Sequence, residues 1–396
     1  MMQESIDAPE HRLSPVADLT NLKSLTAEEL QGQFRVWKEP PYRAAQVLEW
    51  VYQHRATGWA SMTNLPQALR EQLRNHYTLQ GLELLRCQGS RDTTQKFLWR
   101  LADRSLIESV LIPANPALYG EPSDRHTLCV STQVGCAYGC KFCASGLEGF
   151  KRNLRVEEIV DQVLAVVREC AAPEEPTGLE APTDRRQPER SRFVSNLVVM
   201  GMGEPLANYE NLLKALRILN APWGLALGAR KITISTSGLA PQIRRLADDP
   251  LQFRLAISLH GATDETRART MPINRKYPLR ELAAACEYYQ QRKGRMLTFE
   301  YILIAGINDD PSQVQPLVAL ARRLHAKVNL IPYNQVEGLP WERPSEQAQE
   351  AFLAALQNHK IHATLRREKG HDIDAACGQL RLRTERELAN VALVPQ

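Results

Sequence analysis

With 396 residues, 43% hydrophobic and 24% charged, the chain is long enough for one large domain plus a smaller one and ordinary enough to fold around an apolar core. No stretch approaches the roughly 20 uninterrupted apolar residues of a membrane span, and the start, MMQESIDAPEHRL, lacks the apolar centre of a secretory signal; the expected location is the cytoplasm. A net charge of +4, from 49 basic and 45 acidic residues, permits nucleic-acid binding without arguing for it, because Lys and Arg are scattered along most of the chain and local concentrations such as Arg366, Arg367, Lys369 and Arg381, Arg383, Arg386, each taken alone, read as solvated faces.

Residues 1–25 are polar and read as a loose tail. A helical accessory domain with a linker hairpin is expected over 26–120. In PYRAAQVLEWVYQ, Ala45, Val47, Leu48, Val51 and Tyr52 recur at helical spacing behind Pro41, a good first-turn residue. LPQALREQLRNHY suggests a second helix, and the runs KFLWRL and SLIESVLIP suggest a β-hairpin.

Residues 121–375 form the expected core. The strands HTLCVST, SNLVVMG, KITIST, RLAISLH, TFEYILI and KVNLIPY alternate with helical segments such as VEEIVDQVLAVVREC and LRELAAACEYYQQRKG. Six βα units in series predict a parallel α/β sheet with right-handed crossovers. Six are too few to close an eight-stranded barrel, so a partial barrel is expected, with its site at the carboxyl ends of the strands. Residues 172–192, rich in Pro and charge, read as a disordered insertion. A C-terminal segment, 376–396, completes the chain.

Eight cysteines are present, four of them between Cys129 and Cys143. In a chain this long, which needs no disulfide framework, clustered thiols point to metal or redox chemistry. Cys136, Cys140 and Cys143 have the spacing C-x3-C-x2-C. Thiolates at this spacing select zinc or an iron–sulfur cluster. A closed zinc site needs a fourth Cys or His nearby, and after Cys143 none follows until Cys170, inside a predicted helix. Three ligands on a loop suit a [4Fe–4S] cluster with one iron left open.

That motif, with Phe142 before its last cysteine, resembles the signature of radical S-adenosylmethionine enzymes. The resemblance narrows to their RNA adenine methyltransferases, in the dual-specificity branch acting on carbon 2, and runs from about residue 35 to 390 through PPYRAAQVLEWVY, LIESVLIP, TLCVSTQVGCAYGCKFCASG, LVVMGMGEPLANYENL, ISTSGLAP, AISLHG, MPINRKYPL, NLIPYN and RREKGHDIDAACGQLR. It implies a radical S-adenosylmethionine barrel holding the cluster on Cys136, Cys140 and Cys143. It implies S-adenosylmethionine contacts at Gly203, Glu204, Ser235, Ser258, Leu259, His260 and Asn334, with Glu204 beside the cofactor's ammonium. Taken singly, each of these is an ordinary polar or glycine residue of a strand-ending loop.

The family's chemistry follows from its substrate. Carbon 2 of adenine lies between two ring nitrogens and is too electron-poor to attack a sulfonium methyl. By resemblance Cys377, in DIDAACGQL, takes a methyl from one S-adenosylmethionine, becoming S-methylcysteine. The adenosyl radical made from a second one removes a hydrogen from that methyl, and the methylene radical adds to carbon 2. Glu108 matches the proton acceptor. Cys129 matches the thiol that attacks Cys377 and resolves the adduct through a transient disulfide.

Alone, Cys129 reads as a small core hydrophobe, Glu108 as a strand charge that discourages edge pairing, and Cys377 as part of a small-residue turn. The implied substrates are adenine 2503 of 23S ribosomal RNA and adenine 37 of some transfer RNAs, with an electron donor such as flavodoxin or ferredoxin as partner and no membrane. The competing expectations are the sister activity on carbon 8 and a zinc-stabilised RNA-binding protein without catalysis.

Overall fold

The computed structural model describes residues 19–90, 93–113, 125–170, 193–366 and 378–392. The insertion at 172–192, most of the N-terminal tail and Cys377 lie outside the described residues. The chain divides into two compact units, Met1–Gln80 and Gly81–Gln396.

In the first unit, β1 (Thr20–Asn21) pairs in parallel with β2 (Tyr77–Thr78), and three helices lie between them: α1 (Ala27–Val36), α2 (Pro41–Tyr52) and α3 (Gln67–His76). A reciprocal capping box starts α1: Thr26 Oγ1 accepts the Glu29 amide at 3.2 Å, and Glu29 Oε2 accepts the Thr26 amide at 2.7 Å. The buried face of α2 carries Ala44, Val47, Leu48 and Val51. Ala45, expected in that stripe, is exposed; it lies one residue, about 100° of helix, off the i, i+3, i+4, i+7 row. Within the stretch expected as a loose tail, Leu22 is wholly buried and β1 is paired.

The second unit is built on a ten-stranded sheet. Three antiparallel strands come first, β3 (Glu83–Gly89), β4 (Gln95–Arg100) and β5 (Leu106–Pro113), followed by β6 (His126–Cys129). A separate two-stranded ribbon, β7 (Gln133–Gly135) and β8 (Phe150–Asn153), closes the cysteine loop at its base. After α4 (Val156–Cys170) come β9 (Asn196–Val199), α5 (Tyr209–Asn220), β10 (Ile232–Thr236), α6 (Ala240–Asp248), β11 (Arg254–Ser258), α7 (Asp264–Thr270), α8 (Leu279–Lys293), β12 (Thr298–Leu303), α9 (Val314–Arg323), β13 (Lys327–Pro332), α10 (Glu346–Asn358), β14 (Ala363–Leu365) and α11 (Gln379–Ala392).

The order across the sheet is β14-β13-β12-β11-β10-β9-β6-β5-β4-β3. From β6 to β14 every pairing is parallel, and from β6 to β3 every pairing is antiparallel. All six expected parallel strands are present, and β14 adds a seventh. The expected β4–β5 hairpin forms, but it is hydrogen-bonded into this sheet rather than grouped with the helical unit, because β5 pairs with β6 (Val110 opposite Cys129). Parallel strands are buried on both faces, as Ile234 and Leu255 are on one face here and Ser235 and Ala256 on the other. Among the described residues no helix is long and apolar enough to cross a membrane.

Candidate active site

The carboxyl ends of β6, β9, β10 and β11 converge on the cysteine loop. The Cys136 amide donates to Gly149 O at 2.9 Å, closing the loop where β7 meets β8. Gly135 there has φ +74°, and a Cβ on it would collide with the Gly149 carbonyl oxygen, so only glycine fits. The Lys141 amide donates to Thr270 O at 2.9 Å, and Trp341 Nε1 donates to Lys141 O at 3.0 Å. The loop is therefore pinned from two sides between its second and third cysteines.

Burial pushes the Cys136 thiol up to about 11, with Cys143 and Glu204 adding in the same direction. Cys140 is driven well above the ordinary thiol range, first by burial, then by Cys143, Cys136 and Glu204, with Arg267 opposing. Three thiols and a carboxylate within one another's fields resist ionisation unless a cationic group sits among them. Among the described residues no three His, Cys, Asp or Glu side chains form a group able to hold a metal ion. A cluster makes no demand for convergence on one point, since each thiolate binds its own iron. The donor set fits an iron–sulfur cluster.

Gly203 and Glu204 follow β9. Gly203 has φ +100°, and a Cβ there would run into the Gln133 side chain and backbone. Glu204 is 3% exposed. Its carboxylate accepts from Thr236 Oγ1 at 2.8 Å, the Ser237 amide at 2.7 Å and the Leu206 amide at 3.1 Å. Burial raises its pKa and those hydrogen bonds oppose the rise.

Ser235 and Ser258, on adjacent strands β10 and β11, bring their hydroxyls within 3.3 Å. The Leu259 amide donates to Glu300 O at 2.9 Å. His260 takes a left-handed backbone, φ +53°, and its ring meets Phe142 edge-on at 4.8 Å between centroids. Its Nδ1 accepts the Ile302 amide at 3.0 Å, so the neutral ring carries its hydrogen on Nε2. Burial, with Arg267 adding, lowers its pKa to about 3. Asn334 follows β13, half-buried beside Tyr333, whose phenol is raised in pKa first by burial, with Cys143 adding.

A residue with no sequence signal ties these loops together. Arg267 is wholly buried and donates to Leu259 O at 3.1 Å, Asn274 Oδ1 at 2.8 Å and Ser237 O at 2.5 Å. It thus joins the loops after β10 and β11, and desolvation lowers its pKa to about 10. Nothing in TRART distinguishes it from a surface arginine, because its partners come from distant segments.

On the antiparallel side, Glu108 is 2% exposed. Its Oε2 lies 3.0 Å from Lys96 Nζ and accepts the Gly378 amide at 2.7 Å; its Oε1 accepts the Arg381 amide at 2.7 Å. Cys129 is buried on β6 directly opposite Val110. Directly opposed residues share a face, as do residues two apart on a strand. Cys129 therefore lies on the face of β5 that carries Glu108, about 7–8 Å away as a diagonal neighbour.

The start of α11 packs where this face meets the cysteine loop. Leu380 joins Leu98 and Leu106, and Leu382 packs with Ala144, Ile304, Tyr333 and Val336, against which Phe142 also rests. Arg381, wholly buried, donates from Nη1 to Glu148 at 3.1 Å and to Glu385 at 2.6 Å.

A family model described as the ribosomal RNA large subunit methyltransferase N-terminal domain matches residues 20–79, and one for the radical SAM superfamily matches 187–314. The chain is 54% identical over 363 residues to a protein of Opitutus terrae named "Probable dual-specificity RNA methyltransferase RlmN 3", covering 91% of this chain and 94% of that one. It is 52% identical to a similarly named RlmN protein of Akkermansia muciniphila, covering 91% and 95%. A crystal structure of a radical SAM methyltransferase from Sphaerobacter thermophilus superposes with a TM-score of 0.81 at 42% identity, covering 91% of this chain and 98% of that one.

Proposed function

The chain belongs to the RlmN family of radical S-adenosylmethionine methyltransferases, and on that premise we propose that it methylates carbon 2 of adenine in RNA, at adenine 2503 of 23S ribosomal RNA and adenine 37 of some transfer RNAs. Cys136, Cys140 and Cys143 would hold the [4Fe–4S] cluster. Gly203, Glu204, Ser235, Ser258, Leu259, His260 and Asn334 would hold S-adenosylmethionine, two molecules being used per methyl group delivered. When bound, these groups supply a carbon radical once an electron arrives from a donor such as flavodoxin or ferredoxin.

The chain's own residues do the rest. The Cys377 thiolate attacks the sulfonium methyl of one S-adenosylmethionine and becomes S-methylcysteine as S-adenosylhomocysteine leaves. After that methyl loses a hydrogen atom and bonds to carbon 2, Glu108 takes the proton from carbon 2. The Cys129 thiolate then attacks the Cys377 sulfur, forming a disulfide as the sulfur–carbon bond to the nucleotide breaks. The carbon keeps that electron pair and takes up a proton to become the methyl group, and the adduct's one unpaired electron leaves to an acceptor, for which the bound cluster would serve. His260, neutral and fixed through Nδ1, offers an Nε2 hydrogen to the cofactor. The helical N-terminal unit and the exposed Arg383 and Arg386 of the C-terminal segment are the RNA contacts in this reading, through phosphates and shape, Arg381 being buried, and the target base flips out of its stack.

The observation that carries the reading is the hydrogen bond from the Gly378 amide to Glu108 Oε2. It brings the residue after Cys377 to the strand face shared by Glu108 and Cys129, beside the cysteine loop. Mass spectrometry of nucleosides after anaerobic reaction with 23S ribosomal RNA tests the assignment. 2-Methyladenosine is expected, and 8-methyladenosine would overturn it. Cys129→Ala should accumulate protein covalently bound to RNA, while Cys377→Ala should form neither adduct nor product.

A further inference from the structure

Lys96 carries no sequence signal and has no part in the chemistry above, yet it is 0% exposed. Taking an ammonium out of water costs several kcal/mol unless it is paired well, and a strand that only needed packing there would use leucine. Lys96 sits opposite Val110, and Leu98 sits opposite Glu108, so Lys96 and Glu108 are diagonal neighbours on one face. Leu98 and Leu106 share that face and pack against Leu380 of α11.

Gly378 immediately precedes the first residue of α11 and so stands at its N-cap. An N-cap side chain ordinarily accepts the amide of the third helical residue, here Arg381. Gly378 has no side chain and no room for one, with φ +88° and Ser145 against it. Glu108, from β5, supplies the cap instead, taking the Arg381 amide on Oε1 and the Gly378 amide on Oε2. Both donors belong to the start of the helix. Lys96 is the donor from the sheet, on Oε2 at 3.0 Å.

We propose that Lys96 is a positioning residue of the methyl-transfer reaction: its buried ammonium holds the Glu108 carboxylate turned toward the first turn of α11 and so fixes where the C-terminal segment enters the active site. This rests on the roles proposed above for Glu108 and Cys377.

The test uses anaerobically reconstituted full-length enzyme as Lys96→Met, Glu108→Gln and the double variant, read by amide hydrogen exchange of α11 against α5 and by methylation kinetics. In Lys96→Met, exchange in α11 should speed up about tenfold or more, since one partner of a buried pair is gone. The methylation kcat should fall by about tenfold or more, while KM for RNA, iron content and S-adenosylmethionine cleavage stay within about twofold. In the double variant α11 should regain its protection, because a glutamine oxygen still accepts amides and no charge is stranded, while methylation stays low.

Unchanged α11 protection in Lys96→Met overturns the proposal, as does a double variant that loses as much as the two single variants together. If Lys96→Met does not fold, Glu108→Gln is compared with the double: removing Lys96 should slow α11 exchange in that background, and faster exchange overturns the proposal. Wild-type methylation by Glu108→Gln would instead refute the proton-acceptor reading, leaving the exchange data to judge Lys96.

Discussion

Gly378 and Ser145 are in contact so close that a Cβ on the glycine would fall 2.9 Å from the Ser145 backbone nitrogen and 3.0 Å from its hydroxyl. The start of the last helix therefore rests backbone-on-backbone against the loop that follows Cys143. The contact couples two segments with different proposed tasks, one making the radical and one receiving it.

Replacing Gly378 tests that coupling. Gly378→Ala adds a left-handed backbone strain of about 1–2 kcal/mol to a contact no real Cβ tolerates. The helix start should shift away from Ser145. Methylation should fall about tenfold or more, with iron content and S-adenosylmethionine cleavage retained. A variant that methylates at the normal rate would show that the close approach is dispensable.

Glu204 offers a second test. Its three internal donors hold the carboxylate in a fixed pose between β9 and β10. Glu204→Gln keeps the shape but removes the charge, so S-adenosylmethionine affinity should drop about tenfold, the equivalent of one charge-assisted hydrogen bond. Glu204→Ala should cost stability as well, because it leaves the buried Ser237 and Leu206 amides unpaired. Equilibrium binding and chemical unfolding separate the two effects; equal behaviour of both variants would contradict the charge argument.

His260 makes a prediction about pH. Its folded pKa, about 3, lies below the ordinary value near 6.5, so the unfolded chain binds the extra proton first. The stability it confers is complete above pH 6.5 and is lost as pH falls from there toward 3. At pH 5 the loss is about 2 kcal/mol. His260→Asn keeps an acceptor near Nδ1 and tolerates the left-handed backbone, so urea unfolding of the cluster-free protein should depend less on pH between 7 and 5 in that variant. An unchanged pH slope would rule out a buried neutral ring.

The cysteine triad should behave as a ligand set rather than as a packing element. Alanine at Cys136, Cys140 or Cys143 should remove the roughly four irons expected per chain and abolish S-adenosylmethionine cleavage. Unfolding of the cluster-free protein should change little, because each substitution removes one sulfur atom from a residue that keeps some solvent exposure. A colourless triple variant that still cleaves the cofactor would refute the assignment.

The parallel sheet was legible because each strand is a short Val/Ile/Leu run followed by a loop and an amphipathic helix. β14 was not, since three residues carry no period. β3 was missed because ELLRCQG is only half-buried and lacks clean alternation. The cysteine loop, Gly203 and Glu204 are contiguous motifs and could be read directly. Arg267 and Lys96 could not, because what defines them is a partner far away in the chain. For Lys96 that partner is Glu108, whose significance is visible only with α11 in place.

The borrowed cap also dictates an order of assembly. α11 lacks an N-cap side chain of its own, and the oxygen that replaces it sits on β5, 273 residues earlier than Arg381. The helix start has nothing to dock on until the β4–β5 hairpin and the cysteine loop are both in place. On a growing chain, then, the segment just after Cys377 is seated last, against a site already built.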